Sequence, residues 1–130
     1  MHIKLTDITN YMARYLIIIP LWICCLAMDA QSDYYERQAR SNRNDAEYYL
    51  KQAQGHDRDV EYYTKQAANH LRDADYYQGR KQYSLAQDEL RKARYALDRV
   101  DDARRRAESA RSNATSYIRR AETALGNIKN

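Results

Sequence analysis

The two histidines in the polar part of the chain, His56 and His70, are the residues best suited to metal or acid–base chemistry. Imidazole ligates metals and titrates near neutral pH. Their spacing of 14 residues puts both rings on one face of a helix but about 21 Å apart, which is too far for one metal ion. Acids such as Asp59 or Asp73 could join a histidine only across two helices. We therefore expect no metal site, and predict that both histidines are polar residues of a helix–helix seam.

Catalytic motifs do not accompany these histidines. The sequence contains no glycine-rich phosphate-binding loop, no HExxH and no GxSxG motif, and its two cysteines, Cys24 and Cys25, are adjacent. Adjacent cysteines are not spaced to close a loop or to form a paired-cysteine metal site. Carboxylates are plentiful, but one or two helices offer hardly any cleft for acid–base work. The sequence predicts a protein that is not an enzyme and has no cofactor.

Arginines form a basic cluster late in the chain. They could hold anionic lipid headgroups or an acidic surface polymer. Interleaved acids such as Asp102 and Glu108 indicate that most of these positions are ordinary solvated helix positions. A formal charge of +4 and a pI near 9.1 are only mildly basic, so we do not expect nucleic acid as a partner. The candidate anion-binding residues are Arg104, Arg105, Arg106 and Arg111.

An apolar run of 13 residues, 16–28, precedes the polar part of the chain. As a helix it would span about 20 Å of a hydrocarbon core that is about 30 Å thick. Arg14 before the run and the small residues Ala27 and Ala30 after it fit a secretory signal peptide. We predict a signal peptide over residues 1–30, cleaved after Ala30 or, as the alternative, after Ala27.

Export to the periplasm or the medium follows from this prediction. If translation begins at Met12, residues 1–11 are not part of the protein, and the leader has the normal layout of a signal peptide. Two alternatives would leave the protein anchored to a membrane: an uncleaved leader, or lipidation of Cys24 or Cys25. In all of these cases the polar part of the chain lies outside the cytoplasm.

The composition after the leader favours helices. No proline follows Pro20, and Ala, Arg, Gln, Glu and Lys dominate, which are the residues that lose least on entering a helix. Acids stand four residues before bases, as in Glu47 and Lys51, the favourable orientation on a helix surface. The sequence therefore predicts an all-α fold of elongated amphipathic helices.

A doubled tyrosine recurs every 14 residues, at 34–35, 48–49, 62–63 and 76–77. Fourteen residues are two heptads, the repeat of helices that wind around each other. We predict a coiled-coil-like helix over residues 31–78, with the second tyrosine of each pair in the seam and the first beside it. The predicted seam residues are Tyr35, Ala39, Ala46, Tyr49, Ala53, Val60, Tyr63, Ala67, Ala74 and Tyr77.

A second helix is predicted over residues 82–128, because the apolar columns move round the helix after Tyr77. One column is mainly alanine and includes Ala86 and Ala93; the other contains the predicted interface residues Leu90 and Leu97. The shift centres on Gly79 and predicts a helical hairpin that turns there. The alternative is one long helix in a parallel oligomer. Net charges of −2 for residues 31–79 and +6 for residues 80–130 favour the hairpin.

The chain thus resembles small bacterial envelope proteins in general layout, without a motif that would transfer a function. We predict a non-enzymatic structural or adaptor protein that self-associates as a coiled coil or docks on another helical envelope protein. The alternative is an envelope-surface binding module whose basic second half holds an anionic polymer or lipid headgroups.

The two tyrosines of each pair should differ in their effect on stability. Changing the second tyrosine of all four pairs to serine should melt or dissociate the helices, because each change removes a ring from the seam. The same change at the first tyrosines should do less. Circular dichroism melting of the two variants measures the difference, and equal losses would mean that the wrong member of each pair is assigned to the seam.

Overall fold

The computed structural model describes residues 5–128, and their side chains from Ala27 onward. It contains two helices, α1 (Leu5–Gly79) and α2 (Tyr83–Gly126), and no strand within the described residues, so the predicted all-α fold is confirmed. Neither described helix carries an apolar stretch long enough to cross a membrane. Residues 1–4 and the side chains of residues 5–26, which include most of the predicted signal peptide with Cys24 and Cys25, lie outside this description.

The two helices pack against each other as a hairpin. The predicted turn near Gly79 is therefore confirmed, and the alternative of one continuous helix is wrong. A break of three residues, 80–82, separates α1 from α2. Such a short connection requires the two helices to run antiparallel as neighbours.

A Schellman motif ends α1. The backbone N–H of Gln82 donates to the carbonyl of Tyr77 at 2.9 Å, and the N–H of Lys81 donates to the carbonyl of Gln78 at 3.0 Å. Lys81 has the left-handed backbone conformation, with φ of 59°, whereas Gly79 has no positive φ. The chain therefore reverses two residues after the glycine on which the prediction was centred.

Contacts divide the chain into two compact units. One unit is residues 42–120, and the other is residues 1–41 with residues 121–130. In the smaller unit the buried cluster consists of Ala39, Ala121 and Ala124, with Tyr35 and Leu125 packed against it.

The seam of the larger unit repeats every seven residues on α1. One column is buried except for half-buried Val60, and the adjacent column is half-buried throughout. The second tyrosine of each pair lies in this half-buried column, while the first remains more than half exposed. The first column is Ala46, Ala53, Val60, Ala67 and Ala74, and the second is Asn42, Tyr49, His56, Tyr63, His70 and Tyr77.

On α2 the second buried column differs from the prediction by one residue. Leu90 and Leu97 are 49% and 48% exposed and lie outside the seam. Alanines occupy the column instead, because a methyl group leaves room for the tyrosine rings of α1 where a leucine would not. The ring of Tyr117, in the same column, stacks on Tyr49 with centroids 5.5 Å apart and planes at 16°. The buried residues of α2 in this unit are Ala86, Ala93, Ala96, Val100, Ala103, Ala107, Ala110 and Ala114.

Substitutions at the turn should separate the roles of Gly79 and Lys81. Gly79→Ala should raise the free energy of unfolding by about 0.5–1 kcal/mol, because Gly79 is helical and a Cβ there meets nothing within 4 Å. Gly55→Ala, at an equally open helical position, is the matched control and should give a similar gain. Lys81→Val should instead lower stability by about 1 kcal/mol or more, since a β-branched residue is strained at positive φ.

Urea unfolding followed by circular dichroism measures all three values. A loss of stability in Gly79→Ala, together with no effect of Lys81→Val, would contradict the observed turn.

Candidate functional site

The hairpin of residues 42–120 has two flanks, one on each side of its seam. Asp57 and Asp59 are two residues apart and therefore lie about 200° apart around α1, on opposite sides of the seam. Arg111 of α2 donates to the Asp57 carboxylate, whereas Asp59 lines a small cavity with Arg99 and Arg106 of α2. These contacts establish which residues of the two helices share a flank.

We call the flank that holds Asp57 and Arg111 the aliphatic flank. Because burial repeats every seven residues in both helices, steps of seven from these two residues stay on the same side of the seam. On α1 the aliphatic flank comprises Leu50, Asp57, Thr64 and Leu71. On α2 it comprises Leu90, Leu97, Arg104, Arg111 and Ile118.

Exposed leucine and isoleucine side chains concentrate on the aliphatic flank. Among the described residues, six such side chains are exposed, and five of them lie here. Leu85 is the exception, at 45%, and belongs to the other flank. The five exposed fractions are 43% for Leu50, 44% for Leu71, 49% for Leu90, 48% for Leu97 and 41% for Ile118. The hairpin thus leaves its largest aliphatic side chains half in water along one side.

The opposite flank, which we call the polar flank, is mainly charged. Its α1 residues are acids or glutamines, and three of its α2 residues are bases. By steps of seven it comprises Asp45, Gln52, Asp59, Gln66 and Asp73 on α1, and Leu85, Lys92, Arg99, Arg106 and Asn113 on α2. The guanidinium of Arg99 lies over the Tyr63 ring, 5.5 Å from its centroid, and the adjoining cavity measures about 70 Å³. The residues that line this cavity are His56, Asp59, Tyr63, Arg99, Asp102, Ala103 and Arg106. Opposite charges on the two helices therefore face each other within the hairpin.

The four candidate anion-binding arginines do not form one cluster, although Arg104 and Arg111 share the aliphatic flank. Arg104, Arg105 and Arg106 are consecutive, so their side chains leave α2 about 100° apart and project to three sides. Arg105 pairs with Asp102 at 2.7 Å, and Arg111 pairs with Asp57. Two of the four guanidinium groups are thus engaged by carboxylates of the same chain.

His70 connects the two helices near the turn. Its Nδ1 lies 2.7 Å from Oε2 of Glu89, and the other carboxylate oxygen of Glu89 accepts from Lys92 Nζ at 2.6 Å. Hydrogen bonds from Lys92 and then from His70 lower the pKa of Glu89 below its ordinary value. The Glu89 side chain is only 13% exposed, so this pair is a half-buried contact between helices.

A metal ion could draw on the same residues. His70, Asp73 and Glu89 offer three ligand atoms within 4.8 Å of one another. His70 and Asp73 both lie on α1, so the expectation that such an acid could join a histidine only across two helices is wrong. One nitrogen and two carboxylate oxygens suit a divalent transition metal. The ammonium group of Lys92 already neutralises Glu89, however, and would have to be displaced. We therefore interpret the arrangement as an ion-pair network across the seam rather than as a metal site.

Sequence reasoning missed the column of α2 that contains Glu89. That column continues at steps of seven through Ala96, Ala103 and Ala110 to Tyr117. The signal was present, because these alanines recur as regularly as those of the first column. The more hydrophobic leucines one position later obscured it.

Comparison of the chain with protein-family models, with curated proteins and with solved structures finds no match. The function is therefore proposed from the geometry of the two flanks and of the seam.

Acidification should weaken the contact between Glu89 and its partners. A carboxyl group whose pKa is lowered by folding stabilises the fold above its unfolded-state pKa. That contribution is lost as the pH falls through the folded-state pKa. The thermal midpoint should accordingly drop between about pH 5 and pH 3, and it should drop less in Glu89→Gln. Circular dichroism melts of both proteins across this range measure the effect. An equal drop in both would mean that the Glu89 carboxylate contributes nothing.

Proposed function

We propose that this protein is a non-enzymatic structural or adaptor protein that acts by helix–helix association, with itself or with another helical protein. The observation that supports the proposal is the aliphatic flank. Full burial of a leucine side chain is worth about 1.5–3 kcal/mol, and the hairpin leaves five leucine or isoleucine side chains nearly half exposed. Exposed apolar side chains that gather on one side of a protein, here at both ends of the flank, are typical of a site of protein interaction.

The pairing of acidic side chains in the hairpin also favours association over catalysis. The carboxylates Asp57, Glu89 and Asp102 each pair with a base of the same chain. A carboxylate already held by a cation in this way is poorly suited to act as a general acid or base near neutral pH. The cavity of about 70 Å³ beside Asp59 is far smaller than a typical ligand pocket. A larger surface cavity of about 310 Å³ is lined by Gln87, Leu90, Arg91 and Arg94, none of which is an acid or a nucleophile.

The proposed place of action is the periplasm or the extracellular medium. The supporting features are the apolar run of residues 16–28, the arginine before it and the small residues after it. Attachment to a membrane, through an uncleaved leader or a lipidated cysteine, is the alternative and would leave the hairpin available in the same compartment.

Binding to an anionic surface is the second candidate function. The basic second half of the chain, with net charge +6 over residues 80–130, is the observation that favours it. The pairing of Arg105 and Arg111 with Asp102 and Asp57 weighs against it, because these guanidinium groups would have to exchange one carboxylate for another anion.

Sedimentation equilibrium of the purified chain tests the proposed function. Association through apolar side chains should persist when the salt concentration is raised from about 0.05 M to about 0.5 M, because screening affects charges and not apolar contacts. We expect an oligomer at both salt concentrations. A monomer at all protein concentrations would contradict self-association. Binding to anionic vesicles that disappears at the higher salt concentration would favour the second candidate instead.

A further inference from the structure

Residues of the aliphatic flank face each other across the seam in pairs. The helices run antiparallel, so a step of seven residues along α1 toward the turn matches a step of seven back along α2. Starting from the observed pair of Asp57 and Arg111, this places four pairs at successive levels. The levels are Leu50 with Ile118, Asp57 with Arg111, Thr64 with Arg104, and Leu71 with Leu97. The contact of His70 with Glu89, one residue before Leu71 and Leu90, places Leu90 beside this last level as well.

The order of the levels is aliphatic, charged, polar, aliphatic. The two aliphatic levels stand 21 residues apart on α1, which is about 32 Å along the helix. Leu90 extends the apolar surface beyond the second of them, toward the turn. A single partner surface must therefore be apolar at both ends and charged between them.

We propose that the occupant of this flank is a second copy of the chain, packed flank to flank with both turns at the same end. This inference rests on the proposed function and names its partner. A two-fold axis parallel to the helices would set α1 of each copy against α2 of the other. Residues of the same level in the two copies would then face each other. Leu50 then meets Ile118 of the second copy, and Leu71 meets Leu97. The result is a four-helix dimer in which neighbouring helices all run antiparallel.

Charge complementarity selects this direction over the opposite one. With both turns at the same end, Asp57 of each copy faces Arg111 of the other, in addition to the pair within each chain. With the turns at opposite ends, α2 would face α2, and Arg111 would meet Arg104 of the second copy. Like charges brought together in an interface repel each other where water is excluded, so the second arrangement is disfavoured.

The available area is adequate for a stable dimer. The flank is about 40 Å long when Leu90 is included, and two adjacent helices are about 20 Å wide, which gives on the order of 800 Å² per copy. Specific protein interfaces bury about 800 Å² on each partner. The five half-exposed aliphatic side chains lie within this area.

Glutamine substitutions test the position of the interface. The variant Leu71→Gln/Leu97→Gln removes one aliphatic level, and the dimer dissociation constant should rise roughly 100-fold, because four leucines per dimer lose their apolar contacts. Leu85→Gln is the matched control, since Leu85 is equally exposed but lies on the polar flank, and it should change the constant by less than about threefold. Sedimentation equilibrium of the full chain gives the constants, and circular dichroism checks that helix content is retained.

Mixing of charge variants tests the direction of packing. Asp57→Arg and Arg111→Asp should each weaken the homodimer, because each brings like charges together between copies. An equimolar mixture should form a heterodimer at least about tenfold tighter than either homodimer, because residue 57 of one chain then meets an opposite charge at residue 111 of the other. Mixing restores only the contacts between chains, because residues 57 and 111 still carry like charges within each variant chain.

The outcomes separate this inference from the proposed function on which it rests. An oligomer that is insensitive to Leu71→Gln/Leu97→Gln would overturn the inference and leave self-association standing. A tighter homodimer of Arg111→Asp alone would mean that the new carboxylate lies against Arg104 of the second copy, and would overturn the proposed direction. A parent chain that stays monomeric would overturn both the dimer and the self-association on which it depends.

Discussion

Close approach of two alanine-rich helix faces is the constraint on which the hairpin depends. Alanine on both helices brings the backbones near each other, and the larger side chains of the seam are mainly flat rings and polar groups. Most of these come from α1, while α2 contributes Glu89 and Tyr117. Among the described residues the buried apolar side chains are all alanine except for Val100. A core built from methyl groups removes little apolar area per residue from water. Leucine and isoleucine are consequently displaced to the flanks.

This displacement connects the packing of the seam with the proposed association. A hairpin whose seam consists of small side chains gains only modest stability from burial in that seam. Covering the half-exposed leucines on one flank removes further apolar surface from water and adds stability. The doubled tyrosines likewise place one side chain in the seam and one at its edge. The second ring of each pair lies in the seam, and the first lies against it edge to face at 5.2–5.5 Å, with its hydroxyl accepting from a glutamine in Tyr48 and Tyr62. Repetition every two heptads reproduces this unit along α1.

The shift of the apolar columns at Gly79 and the opposite charges of the two halves predicted the hairpin. The seven-residue spacing predicted the α1 side of the seam, because a strict repeat leaves little freedom over which residues face the neighbour. On α2 spacing did not predict the second seam column, because two neighbouring columns repeat equally well. Which of them faces α1 depends on which side chains fit against tyrosine. Ranking by hydrophobicity selected Leu90 and Leu97, whereas fit requires Ala96 and Ala103. Two contacts between the helices, Asp57 with Arg111 and His70 with Glu89, were not predicted. They depend on the register of α1 against α2 along the helix axes, which a single sequence does not specify.

The antiparallel hairpin itself is tested most directly by one distance. Spin labels at cysteines replacing Arg58 and Ser112, in a chain with Cys24 and Cys25 changed to serine, lie on the outer faces of α1 and α2 and close to the level of the Asp57–Arg111 pair. Pulsed electron paramagnetic resonance, with labelled chain diluted in excess unlabelled chain, then reports the distance within one molecule. Adjacent helices 8–10 Å apart predict a label separation of about 20–30 Å. A separation of about 80 Å, as in one continuous helix, would contradict the account.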